Sequence, residues 1–516
     1  MDMKKILLIL FVSTLTLSCV DDLDTKPEVD LTLEELLQQD PNAVNGILSR
    51  LYGSFALSGA DGPGSSDIDD DAGESPFLRG IVNLQDFTAD GLKNRWGDDG
   101  LDQLTTTSNW DENNKFFRYM YNRIYYTIPQ ANNLINVLGG VEVDNKSQVE
   151  GEVRFLRALA YYYLIDCFGK GVLATEENFG QSTPLPQVTR TELYNYVESE
   201  LLAVEGLLPD TNSYGRTDKA AAQFLLARLY MNAEVYTRTA QYSNALSYAE
   251  KVITGSGHTL APDFLQNFSG DNHTSPEIIF PLIADADVSQ SYGNTTYIVN
   301  GSLSGETMTL SDYGATDGWG GHRASKGWYG LFAADAAGLA ASSDKRAHLF
   351  WTGGHNYEMD DYKDWSNGYP SIKFRNKAFN NPSGTNTSFS STDFPLFRLA
   401  DAYLMYAEAQ VRGGGGSAAT ALQYVNDVRT RAGATAITAS ELTADFILAE
   451  RARELNFEGV RRSDLIRNGK FTGGSYTWPW KGNTLNGTSI PDHYKLFPIP
   501  QRSLEANPNL TQNTGY

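Results

Sequence analysis

The chain has few cysteines, few histidines and little positive charge, and each shortage closes off a class of function. Its 2 cysteines, Cys19 and Cys167, cannot staple a fold of this size, and no Cys-x-x-Cys pair exists to hold zinc or run redox chemistry. The 6 histidines share no metal-binding spacing, and neither His-Glu-x-x-His nor Gly-x-Ser-x-Gly occurs. Lys and Arg number 41 against 63 Asp and Glu, a net charge of −22 with no basic cluster to offset it. Such a surface repels nucleic acid and disfavours anionic ligands. Beyond the N-terminus no segment reaches the ~18 consecutive apolar residues of a candidate membrane helix.

The N-terminus itself is informative. Lys4 and Lys5 precede an apolar run from Ile6 to Val12, continued by Leu15 and Leu17, which is too short for a mature membrane span and reads as a secretory signal peptide. It ends at Ser18-Cys19, and a Cys there is the acceptor for a bacterial lipid anchor. Thr16 stands where such signals usually have Leu, and the alternative is an ordinary signal peptide with an incidental Cys. Residues 1–18 are thus assigned to the signal, 19–30 to an acidic tether carrying Asp21, Asp22 and Asp24, and 31–516 to a single domain. The lipid on Cys19 would be the only membrane attachment, and Cys167 reads as a small core hydrophobe.

Within that domain the chain is mainly α. Apolar residues recur at three-to-four spacing over 115–138, 147–168, 191–207, 217–235 and 240–254, which predicts amphipathic helices. Ala227, Tyr230, Tyr242, Ala245, Leu246 and Ala249 form a tetratricopeptide-like pair, with small residues at the close approach and tyrosines filling the groove. A second pair runs from Ala400 to Ala409 and from Ala421 to Val428, separated by Gly413 to Gly416. No Gly-Lys-Ser/Thr follows these glycines, so they are a helix stop, with Ser417 capping the next helix. The helical halves cover 31–256 and 396–516. Between them, 257–395 is rich in Gly, Ser, Asn, Thr and aromatics, with strand-like runs at Glu277–Phe280 and Thr296–Val299. A long irregular stretch between helical halves usually carries function.

No catalytic or metal-ligating set emerges. Asp67, Asp69 and Asp71 resemble the start of a calcium loop, but the closing Glu would fall at 78, which is Leu. The run is read as a solvated loop, with a non-standard structural calcium ion as the other reading and no other cofactor expected. With 63 carboxylates, close pairs arise by chance, so an all-helical glycoside hydrolase stays open as the enzyme alternative. Two tryptophans stand apart. Trp319 lies in Asp-Gly-Trp-Gly-Gly and Trp96 in Asn-Arg-Trp-Gly-Asp-Asp, polar loops that give an indole little local packing. An indole in such a setting is either a plug or a contact surface, and pyranose faces carry C–H groups that lie on aromatic rings.

The C-terminal residues Glu450-Arg-Ala-Arg-Glu-Leu-Asn-Phe-Glu-Gly459, with Arg461, Arg462, Asp464, Leu465 and Arg467, resemble the signature of the SusD/RagB lipoproteins. So do Pro395–Leu404, Gly151–Ala158, Pro498-Ile499-Pro500 and the ending through Tyr516, and the resemblance runs from Cys19 to the last residue. The Glu/Arg run by itself reads as an ion-pair network locking helices together. The resemblance implies a non-enzymatic, lipid-anchored outer-membrane protein at the cell surface. Such a protein holds oligosaccharides over a TonB-dependent barrel of the SusC kind. Gly73–Arg79, Ser291–Tyr297 and Thr316–Trp319 look closest to the family's starch binders, which use an arc of aromatic rings with Arg and Asn. Arg79, Tyr292 and Trp319 match that pattern, with Trp319 and Tyr292 expected as floor, Trp96 at the edge and Arg79 bonding sugar hydroxyls. The loop at 88–100 departs from the pattern. Lys93 and Arg95 stand near its one Trp, and Asp98 or Asp99 stands where Asn is expected. An α-glucan of the starch type is the first expectation, and laminarin, a curved β-1,3-glucan, the second.

Overall fold

A computed structural model of the chain describes residues 31–68, 71–381 and 387–516. The signal segment, Cys19 and the acidic tether lie outside the described residues, as does Asp69 of the acidic run. The domain opens with α1 (Leu33–Gln39), α2 (Ala43–Ala56), the short α3 (Phe77–Ile81) and strand β1 (Leu92–Asn94). Long helices follow: α4 (Lys115–Gly140), α5 (Lys146–Cys167), α6 (Arg190–Val204), α7 (Lys219–Met231) and α8 (Tyr242–Gly255). The loop-rich region holds β2 (Ile278–Leu282), α9 (Thr295–Ser302) and β3 (His322–Ala324). The chain then returns to helix through β4 (Phe394–Arg398), α10 (Leu399–Val411), α11 (Ala418–Arg431), α12 (Ala444–Leu455) and α13 (Arg461–Arg467).

The tetratricopeptide-like pairing holds in three dimensions. Helix α8 packs on α7 on one side and on α10 on the other, and α10 packs on α11. Ala227, Ala245 and Ala249 are fully buried where the helices meet. Tyr230 and Tyr248 meet at 5.6 Å across one pair, and Tyr403 and Tyr424 at 4.4 Å across the other. At the glycine stop, a Cβ on Gly414 would come within 2.5 Å of the Tyr242 carbonyl, so no larger residue fits this close approach. Ser417 does cap α11, accepting from the Thr420 N–H at 3.2 Å.

The Glu/Arg signature is buried, and it joins the two helical halves to the loop-rich region. Arg398 donates to Glu277 at 2.8 Å, Glu454 at 2.7 Å and Glu458 at 2.6 Å. Arg346 reaches Glu450 and Glu454 at 2.8 Å each, and Arg431 also pairs with Glu454. Burial alone would raise the Glu454 carboxyl, but three arginines hold it far below the usual carboxylate range. Within this network each buried carboxylate faces at least one guanidinium, which offsets the cost of burying it.

One expectation changes. The run Thr296–Val299, strand-like by its β-branched residues, is the middle of helix α9. Asn294 caps that helix by accepting from the Thr295 N–H at 2.7 Å, and all eight of its residues are buried, so tertiary context overrides local propensity. The loop-rich region is tied to both helical halves by strand pairing. β1, from the first helical half, pairs antiparallel with β3, with Asn94 opposite His322. β2 pairs with β4 in the same sense. The polar stretch around Trp96 is therefore drawn into the irregular region by strand pairing.

Candidate glycan-binding site

Helix α9 organises the site. Tyr292 sits three residues before its start, on a loop packed so closely on the 73–76 turn that a Cβ on Gly293 would come within 2.4 Å of Pro76. Further along, the Asn300 carbonyl accepts from the Trp319 N–H at 2.7 Å. The Gly301 and Leu303 carbonyls accept from the Gly321 and Gly320 N–H groups at 2.8 and 2.7 Å. The Gly-Trp-Gly-Gly loop is thus pinned along its backbone, and the Trp319 side chain is left half-buried at the surface.

A hydrogen-bond relay fixes Trp96 beside it. The neutral, buried His322 ring, pushed down to about 3 by desolvation, contacts the Tyr297 carbonyl through Nε2 at 2.9 Å and the Asn94 amide through Nδ1 at 2.8 Å. With the proton on Nε2, the imidazole donates to the carbonyl and accepts from the Asn94 Nδ2–H, so both nitrogens are satisfied. Asn94 Oδ1 in turn accepts from the Trp96 N–H at 2.6 Å, and Trp96 Nε1–H donates to the Trp319 carbonyl at 3.1 Å. The Trp96 ring lies 5.0 Å from His322 and 5.8 Å from Tyr297. Such a support leaves the indole little freedom to move. Arg95 adds a clamp, Nε to the Gly320 carbonyl at 2.5 Å, and Lys363 donates to the Trp96 carbonyl at 3.0 Å.

All five residues singled out from the sequence come together. Trp96 and Trp319 are 6.3 Å apart, centroid to centroid, with their planes tilted 51°. Trp319 and Tyr292 are 6.5 Å apart, tilted 47°. Arg79 lies below, its guanidinium 4.4 Å from the Tyr297 ring, donating to the Gly73 carbonyl at 3.2 Å and to Asp98 Oδ2 at 3.1 Å. Arg79 is only 7% exposed. A sugar hydroxyl would therefore have to compete with Asp98 for it, and Asp98 is the more accessible of the two. Trp96, expected at the edge, is half-buried like Trp319 and makes ring contact with Trp319 but not with Tyr292. Tyr292, 45% exposed, is the most open of the three rings that are named from the sequence. Lys93 is no part of the site. It is buried with its amine on the Ala89 carbonyl at 2.9 Å, and burial lowers its pKa to about 7. Asp71, from the acidic run, accepts from the Glu74 N–H at 2.8 Å.

The sequence named Tyr297 only as the end of a motif and did not point to His322 or Asn300, which with it support the rings, nor to Phe389, whose ring lies 5.0 Å from Tyr292. A row of mutually tilted rings with carboxylate, guanidinium and carbonyl groups beside it can stack on apolar faces and bond hydroxyls. Among the described residues no three His, Cys, Asp or Glu side chains converge as a metal ion would need.

Comparisons with known proteins agree with this architecture. Two family models match, one described as "SusD family" over residues 276–516 and one as "Starch-binding associating with outer membrane" over residues 83–231. The starch-binding protein SusD of Bacteroides thetaiotaomicron is 33% identical, covering 99% of this chain and 98% of that protein. SusD-like protein P25 of Formosa agariphila is 25% identical over the full length of both. The fold is shared with surface glycan-binding protein A of Bacteroides thetaiotaomicron, solved with laminarihexaose, at a TM-score of 0.70 and 22% identity over 92% of this chain and 99% of that one. A SusD superfamily protein from Parabacteroides distasonis superposes with a TM-score of 0.72 at 22% identity, over 94% of this chain and 100% of that one. With helical pairs, buried Glu/Arg signature and full-length similarity in agreement, the chain belongs to the SusD family.

Proposed function

We propose that this protein is a cell-surface lipoprotein that captures neutral oligosaccharides and hands them to a TonB-dependent outer-membrane barrel. The single observation that carries the glycan reading is the preorganised arc of Tyr292, Trp319 and Trp96 over the Arg79–Asp98 pair. Rings held at fixed tilts favour a curved ligand, since several pyranoses must touch at once. The net charge of −22 favours an uncharged one. The ligand is a starch-type α-glucan, in keeping with the 33% identical relative named for starch. Laminarin is the second candidate, because Asp98, already accepting from Arg79, cannot donate as the Asn of the starch pattern would. The 33% identical relative is named as a starch-binding protein, which supports a binder over a glycoside hydrolase. Cys19 carries the lipid in this reading, and replacing it with Ala releases soluble protein. Calorimetry against maltoheptaose, laminarihexaose and cellohexaose, with a reducing-end assay on the same mixtures, tests the proposal. The expected outcome is micromolar-to-millimolar binding of a curved glucan, none of the flat one and no new reducing ends. Tight binding of cellohexaose alone, or turnover abolished by a carboxylate substitution, contradicts it.

A further inference from the structure

The aromatic row does not stop at Tyr292. Phe389 lies 5.0 Å from it with its plane tilted 47°, and the same interplanar angle relates Tyr292 to Trp319. Phe389 is half-buried, not sealed in the core. Its backbone is held at several points. The Phe389 carbonyl accepts from Thr387 Oγ1 at 2.5 Å, the Ser388 carbonyl from Asn300 Nδ2 at 3.0 Å, and the Ser390 N–H donates to Thr296 Oγ1 at 3.0 Å. Asn300 therefore anchors two rings at once, Trp319 through its main-chain carbonyl and Phe389 through its side-chain amide on the preceding residue. Beside them, Thr316 and Ser388 join hydroxyl to hydroxyl at 2.9 Å, a polar rim linking the Trp319 loop to the Phe389 loop.

From this we infer that Phe389 is a fourth stacking platform, an additional subsite that sets how long an oligosaccharide the protein prefers. The inference rests on the glycan-binding reading of the arc and extends it. A half-buried ring held by helix α9, in contact with Tyr292 and beside the Thr316–Ser388 hydroxyl pair, is supported as Trp319 is. A ligand that covers Tyr292, Trp319 and Trp96 meets Phe389 only if it has further units at the Tyr292 end. Phe389 thus contributes to long ligands and not to short ones.

The test is a chain-length series, maltotriose through maltoheptaose, titrated by calorimetry into the lipid-free mature protein and its Phe389→Ala, Phe389→Leu and Trp319→Ala variants. The proposal expects Phe389→Ala to bind the shortest measurable ligand as the parent does and the longest about fivefold more weakly, in line with one lost stacking contact. Phe389→Leu, which keeps apolar packing against Tyr292 but offers no ring face, should lose the same length dependence. An equal loss at every length would mean that Phe389 only buttresses Tyr292, and no loss at any length would mean that it is outside the site. Either result overturns the inference. If Trp319→Ala also binds the whole series unchanged, the glycan reading of the arc has failed with it. If only that variant loses binding, the reading stands and the fourth platform alone falls.

Discussion

Replacing Gly301 by Ala should disable the site without removing any group that could touch a ligand. The substitution alone ought to help, since Ala in place of Gly in a helix stabilises by roughly 0.5–1 kcal/mol. Here the new Cβ would stand 2.1 Å from His322 Nε2. The imidazole cannot retreat, with Tyr297 at 4.6 Å, Trp96 and Phe87 at 5.0 Å and Phe457 at 6.0 Å around it. Overpacking of this kind costs about 1–3 kcal/mol. The displaced ring would also lose its bond to the Tyr297 carbonyl, a further ~0.5–1.5 kcal/mol. After the helix gain, a net destabilisation of about 2 kcal/mol is expected in urea denaturation. Trp96 rides on the same relay, so affinity for the preferred glucan should fall about tenfold, or 1.4 kcal/mol, by calorimetry. Stability within ~0.5 kcal/mol of the parent would refute the claim that His322 is confined, since that margin is ordinary for a surface change. A destabilised variant with unchanged affinity would show that the floor is not coupled to binding.

The same histidine makes stability depend on pH. Its folded pKa, about 3, is depressed by burial. The unfolded chain therefore takes up the proton first as pH falls below its ordinary value of about 6.5. The stabilising contribution is complete above that value and declines by about 1.4 kcal/mol per pH unit on the way down to the folded pKa. A His322→Gln variant should show a shallower loss of melting temperature between pH 6.5 and about 4, and an unchanged slope would show that His322 is not the group responsible. Arg398→Met should cost about 3–5 kcal/mol, because Glu277, Glu454 and Glu458 would share too little positive charge in a buried setting. A urea midpoint close to the parent's would mean that the network is dispensable.

The helical pairs were legible because their signal is local. Alanines and tyrosines at helical spacing fix both the period and the close approach, and Ala227, Ala245 and Tyr403 lie where that pattern puts them. The Glu/Arg signature was legible as a network but not in its partners, since Arg398 and Glu277 are separated by 121 positions along the chain. The rings of the site could be named from Gly-flanked tryptophans and from family motifs. What could not be read was the support beneath them. Thr296–Val299 has strand composition and forms a helix only because burial on all sides and the Asn294 cap outweigh it. His322 gave no sign of lying under Trp96 until β1 paired with β3. The engagement of Arg79 with Asp98 was hidden for the same reason, as both depend on how one loop folds over another.

The central claim, that an aromatic arc binds a curved glucan, is tested most directly by calorimetry of Trp319→Ala against maltoheptaose together with its melting temperature. The backbone groups of residue 319 that hold the loop, its N–H on the Asn300 carbonyl and its own carbonyl under Trp96, survive the substitution. The account predicts a loss of at least about tenfold in affinity with little change in melting temperature. Unchanged affinity, or a variant that no longer folds, would contradict it.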